Sequence, residues 1–278
     1  MNILMQFQYD FFINAIFAAL FASVSCGIVG TYIVSKRKVF ISDGITHASF
    51  GGIGIGYYLG INPIIGAVIF GILSALGIEY ISKKTEVRED SAVGIIWSFG
   101  MAVGIIFIFI TPGYAPNLMS FLFGNILTVN HFEVMLMMAL SLIIILFFTI
   151  FFKLILFISF DEEYASTHRA PVKFINYALL SLIALCIVLN IRVVGIILVI
   201  SFLTIPQTTA NLFSKKFKNI MLYSIIIAFV GSFIGLIFSY IYNIPSGAAI
   251  IFCFVIMFML AKIFKKIIFR NKIKKAIR

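Results

Sequence analysis

Asp43 and His47 stand four positions apart in SDGITHASFGG (42–52), inside a strongly apolar chain. On a helix, residues at i and i+4 share one face about one turn apart. A carboxylate oxygen and an imidazole nitrogen presented together are half of a ligand set for a borderline divalent cation such as Zn²⁺ or Mn²⁺. Two ligands leave the sphere incomplete, so other spans, water or a second copy of the chain must supply the rest. The pair serves equally as a structural one, with the side chains bonded to each other or to nearby backbone at the membrane edge. Its surroundings favour the first reading. Glycines at 44, 51, 52, 54, 56 and 60 let helices approach closely and permit non-helical backbone beside a cavity. Close packing alone also accounts for them and is compatible with a passage. An ionisable group at membrane depth is costly and marks function by default. The other nine acids, Glu79 and Glu133 among them, fall near the ends of apolar runs.

Two further segments carry polar chemistry. In VVGIILVISFLTIPQTTA (193–210), Pro206 is flanked by Thr204, Gln207, Thr208 and Thr209. Proline lacks an N–H and frees the carbonyl four residues earlier, here that of Phe202. In lipid that carbonyl needs a partner, so the kink is expected to face protein or a water-filled passage, with Pro206, Thr204 and Gln207 at the bend or lining the path. FDEEYASTHR (160–169) opens with Asp161, Glu162 and Glu163 and closes with His168 and Arg169. That order suits the dipole of a short helix, and a solvated loop suits it as well. His131 and Glu133, two positions apart, point to different faces and read as interfacial anchors. Cys26, Cys186 and Cys253 lie in apolar segments without CxxC spacing and read as packing residues.

The elements that must position these groups follow from composition. The 278 residues are 62% apolar and only 11% charged, with a mean hydropathy of +1.15. A soluble domain has about 45–50% apolar and about 25% charged residues. A soluble globule is excluded, and disorder is excluded by the same numbers. Apolar runs at about 10–34, 40–59, 62–82, 91–111, 131–158, 172–190, 193–212, 219–241 and 246–264 are each long enough to cross a bilayer. The expected fold is an all-α polytopic membrane protein with eight or nine transmembrane helices. Eight is the count if the second or seventh run is a half-helix. Residues 1–264 form the membrane domain and 265–278 a basic cytoplasmic tail.

The net charge of +11 is topological. Lysines and arginines gather at 36–38, 83–88, 169–173, 215–218 and in the tail, which places those connections in the cytoplasm. Arg192 is the lone exception on the opposite side. Nucleic acid is excluded as a partner, because no continuous basic face exists. A cleaved secretory signal is not expected, since no basic residue precedes Lys36. The dipeptide Gly-Lys never occurs, so a P-loop is absent and any ATP must be hydrolysed elsewhere.

With these blocks assembled, the sequence resembles the permease subunits of zinc/manganese (ABC-3 type) ATP-binding-cassette importers. The resemblance rests on YIVSKRKVFISDGITHASFGGIGIG (32–56), DSAVGIIWSFGMAVGI (90–105), SFLFGNIL (120–127), FDEEYASTHR and VVGIILVISFLTIPQTTA, in this order along nearly the whole chain. It implies the compact helical fold of the vitamin B12 importers (type II) and a location in the bacterial inner (plasma) membrane. It also implies a dimer with the same or a sister permease, a cytoplasmic ABC ATPase, and an extracytoplasmic metal-binding protein. The substrate it implies is zinc, manganese or iron, with no cofactor held permanently and no enzymatic activity expected of the chain itself. Asp43 and His47 fall on the family's metal-passage motif. Asp161, Glu162, Glu163 and Arg169 fall on its ATPase-coupling segment. One departure is that Gln207 and Thr208 follow the proline, where relatives usually carry a small residue and alanine. An ion-gradient-driven carrier is the main alternative, but it would show broken-helix repeats and several deep acids. An intramembrane metalloenzyme would need a denser ligand cluster than the histidines at 47, 131 and 168 provide.

Overall fold

A computed structural model describes residues 10–112, 124 and 126–276, with side chains to residue 267. Within these residues the chain forms eleven α-helices and one 3₁₀ turn, with no strand. They are α1 (Asp10–Ser35), α2 (Val39–Tyr58), α3 (Pro63–Lys84), α4 (Glu89–Ile110), α5 (His131–Ile150), α6 (Phe152–Phe160), α7 (Glu162–Thr167), α8 (Val172–Val194), α9 (Ile196–Phe213), α10 (Phe217–Tyr242) and α11 (Ser246–Ala276). Most of the SFLFGNIL block and the connection after Pro112 lie outside the described residues. Eight of the helices are long and apolar enough to cross a membrane. A helix satisfies its own backbone hydrogen bonds, which is what the hydrocarbon interior demands.

The ninth long helix, α2, is the exception that organises the rest. Its 20 residues span about 30 Å at about 1.5 Å per residue, yet it is absent from the eight apolar spans. It is wedged between α3 and α4 and also touches α8 and α9. Protein therefore solvates it where lipid would not. Its buried hydroxyls turn back onto their own helix: Thr46 Oγ1 donates to the Ser42 carbonyl at 2.6 Å and Ser49 Oγ to that of Thr46 at 2.7 Å. Glycine makes the wedge possible. A methyl group at Gly52 would collide with the Gly66 backbone of α3, and one at Gly54 would sit 2.5 Å from the Gly104 carbonyl of α4. The α2 glycines thus pack helices against each other, and α2 is helical throughout.

Around this wedge, α1 is the central post, packed on α5, α8, α9 and α10. Helices α8 and α9 are joined at Gly195 alone, whose φ of 83° is open to glycine and strained for other residues. Helix α8 accordingly runs through Asn190–Arg192, a stretch that the sequence marks as a connection. The apolar run 131–158 is likewise two helices, broken at Phe151, so α6 and α7 form an arm distinct from α5, seated on the main core through Ile155, Ile158 and Ala165. Helix α11 continues without a break from its apolar part through residue 264 into the basic tail.

Pro206 stands inside the continuous helix α9, and the carbonyl it frees has a specific partner. Pro206 frees the Phe202 carbonyl, and the side chain of Gln207 takes it: Nε2 donates to Phe202 O at 2.9 Å and to Cys26 O of α1 at 2.8 Å. Gln207 is wholly buried. Gly30 leaves it room, since a methyl there would stand 2.5 Å from Nε2.

Two substitutions test this architecture in detergent-solubilised protein. Gly52→Val is expected to destabilise by about 1–3 kcal/mol, the usual cost of overpacking, seen as a lowered thermal midpoint. Gln207→Leu, which strands the Phe202 carbonyl and removes the tie to Cys26 of α1, is expected to cost about 1–2 kcal/mol, whereas Thr208→Ala on the exposed side of the same turn should leave the midpoint unchanged.

Candidate functional site

Asp43 and His47 occupy the part of α2 that α3 and α4 leave partly open. Their side chains are 23% and 20% exposed, whereas Gly44, Ile45, Thr46 and Ala48 between and beside them are buried. Asp43 Oδ1 lies 3.5 Å from His47 Nε2, long for a hydrogen bond. The imidazole is stacked flat on the Trp97 indole of α4, with centroids 4.5 Å apart and planes 13° from parallel. Trp97 thereby fixes the plane in which Nε2 points. His47 Nδ1 is buried and has no hydrogen-bond partner among the described residues.

The 3.5 Å separation has a chemical reading. Two ligands each about 2.1 Å from a tetrahedral metal stand about 3.4 Å from one another. Asp43 Oδ1 and His47 Nε2 therefore match one edge of such a coordination sphere. Among the described residues no group of three or more His, Cys, Asp or Glu side chains could hold a metal. The pair offers a partial sphere, suited to capture and release, rather than a closed structural site.

One turn below, on the charge-rich side, an ion network joins α2, α3, α4 and α7. Glu79, only 5% exposed, accepts from Lys83 Nζ at 2.7 Å and lies 3.8 Å from Lys38 Nζ. Lys38 also reaches Glu89, at 3.6 Å. Lys83 in turn donates to Glu162 at 2.6 Å, and Asn176 Nδ2 donates to the same carboxylate oxygen at 3.0 Å. Lys36 Nζ donates to the Ser159 carbonyl at 2.8 Å. Burial first, and then the charge of Lys38, hold the Lys36 ammonium below the ordinary lysine range.

The acidic segment is therefore structured. Asp161 caps α7, its Oδ1 accepting the Tyr164 N–H at 2.9 Å. Glu162 ties α7 to the bundle, Glu163 is exposed, and Arg169 turns the chain with a φ of 58°. Beside them stand two aromatic rings that the charge pattern does not single out: Phe160 is 95% exposed and Tyr164 54% exposed. Glu79 is the other residue missed. Its spacing of four from Lys83 was the available signal, but the approach of Lys38 from another helix is tertiary.

The remaining sites separate cleanly. Thr204 Oγ1 donates to the Ile200 carbonyl at 2.8 Å, and Pro206 and Gln207 are buried in the α1–α9 contact. They hold the helix at its proline. On the outer side, Arg192 Nε lies 3.1 Å from Glu133 Oε1, while Glu133 Oε2 closes a capping box with Asn130 at 3.1 Å. The lone outer arginine is thus a clasp between α5 and α8. The three cysteines are free thiols, Cys26 and Cys186 both buried.

This geometry has close counterparts. The manganese transport system membrane protein MntC of Listeria monocytogenes is 35% identical over 257 residues, covering 92% of this chain and 91% of that protein. The solved structure of PsaBC from Streptococcus pneumoniae in complex with Fab superposes with a TM-score of 0.82 at 32% identity, covering 92% of each chain. A structure assigned to the metal-chelate type of ABC transporter, in an inward-facing conformation, superposes with a TM-score of 0.71 over 90% of this chain and 84% of that one. At 15% identity it speaks for the fold alone, which is the type II ABC permease fold. The bundle wedged around α2 and the order of its sequence blocks agree with a family profile that matches residues 8–265, and the chain belongs to the ABC 3 transport family.

Proposed function

We propose that this protein is the membrane-spanning permease of an ATP-driven importer, a multi-pass protein of the bacterial inner membrane that moves a divalent transition-metal ion. The relatives' manganese transport favours manganese, and the carboxylate–imidazole pair accepts zinc and iron as well. The observation that carries the reading is the Asp43–His47 pair, set at the edge length of a coordination sphere on the open part of an otherwise enclosed helix. Two such half-sets, one from each of two permease copies, complete a transient site at their shared axis. An extracytoplasmic binding protein delivers the ion from outside. The chain has no P-loop; a separate cytoplasmic ATPase supplies the energy, and the bundle rocks between outward and inward openings.

The arm formed by α6 and α7 is the docking element for that ATPase. Asp161, Glu162 and Arg169 have positions to hold within their own subunit, which leaves Glu163, Phe160 and Tyr164 facing outward. Exposed aromatics are the usual anchors of protein interfaces.

Asp43→Asn and His47→Ala are each expected to lower metal uptake into reconstituted vesicles at least tenfold, with assembly on the ATPase intact; normal uptake in both removes the pair from the passage. Phe160→Ser should release the ATPase in copurification without changing the permease's thermal midpoint. Full retention would place the docking surface elsewhere.

A further inference from the structure

A cavity of about 480 Å³ opens where α1, α5, α6 and α10 meet, a volume within the range of about 300–1,000 Å³ common to ligand pockets. Its walls are apolar, formed by Ile28, Ile145, Phe148 and Met221. Two cations stand among its lining residues, Lys153 in the first turn of α6 and Lys218 in the first turn of α10. Both are exposed, and among the described residues neither forms an ion pair with a carboxylate. Lys218 Nζ lies 4.9 Å from the centre of the Phe152 ring, which holds its charge beside the cavity.

Charge patterning puts this end of α10 with the basic cluster at 215–218 on the cytoplasmic side, at the level where hydrocarbon gives way to headgroups. A small soluble anion would use the lysines and leave the apolar walls uncovered. A neutral lipid would fill the walls and leave two charges unanswered. We propose that the cavity binds one anionic phospholipid of the inner leaflet, its phosphate taken by Lys153 and Lys218 and one acyl chain lying against Ile28, Ile145, Phe148 and Met221. Basic pockets between membrane helices on the cytoplasmic side recognise lipid headgroups by this chemistry. The location gives the lipid a task. The cavity lies at the Phe151 break, where α6 departs from α5, so the bound lipid props the root of the arm that carries α7.

Native mass spectrometry of the purified full-length permease, titrated with phosphatidylglycerol or with phosphatidylcholine of the same chains, tests this. One phosphatidylglycerol is expected to remain bound under conditions that strip phosphatidylcholine, and inorganic phosphate should not displace it. The double variant Lys153→Ala, Lys218→Ala should bind it at least tenfold more weakly, and Ile145→Trp, which fills the cavity and keeps both charges, should weaken it as well. Lys215→Ala with Lys216→Ala on the same rim should leave binding unchanged. Equal retention of the two lipids, displacement by phosphate, or equal loss in the rim control would overturn the proposal. Unchanged binding in either cavity variant would also overturn it.

Discussion

The arrangement depends on enclosing a helix that lipid would reject. Helix α2 carries an acid, an imidazole and a row of hydroxyls, and nothing in a hydrocarbon phase can solvate them. Backbone contact through Gly52 and Gly54 brings α3 and α4 close enough to form a protein sleeve. Membrane helices gain little from hydrophobic association, so such van der Waals contact at small residues is the main attraction available. Larger side chains at these positions would open the sleeve and expose the polar stripe. The polar pair and the glycines are therefore linked: the glycines make a polar helix tolerable, and the cover they bring leaves Asp43 and His47 partly exposed.

The same accounting of polar groups runs through the bundle. Several buried polar groups find an answer in their own helix or a neighbouring one. The Phe202 carbonyl freed by proline meets the Gln207 amide, which simultaneously fastens α9 to α1. Glu79 is held by Lys83, with Lys38 close by. Arg192 on the outer side meets Glu133, itself already part of a helix cap. These contacts cross between α1 and α9, between α5 and α8, and from α3 to the start of α2. They fix the relative seating of helices whose lipid-facing surfaces are interchangeable isoleucine and phenylalanine.

Much of this was legible in one dimension. Hydropathy located the eight helices of membrane length, because each crossing must be long and apolar. Proline chemistry identified the carbonyl that needed help, and i,i+4 spacing put Asp43 and His47 on one face. What escaped was tertiary. Gln207 reads as an added polar group near a kink until α1 is placed beside it. Glu79 reads as a span-end acid until the start of α2 brings Lys38 to it. The break at Phe151 has neither glycine nor proline to announce it, and the run 131–158 looks continuous by composition. Phe160 and Tyr164 are ordinary aromatics in an aromatic-rich sequence, and only their exposed position beside the acidic segment sets them apart.

Lys83 illustrates how such a structure ties its parts together. Its ammonium is shared between Glu79 on its own helix and Glu162 at the head of α7. Loss of either carboxylate would leave Lys83 paired with the other, so the network does not hang on one contact. Asn176 of α8, a neutral donor on the same Glu162 oxygen, anchors that acid from a second helix. One shared cation thus couples the seating of α7 to the neutralisation of a buried acid, and a change at either is felt by the other.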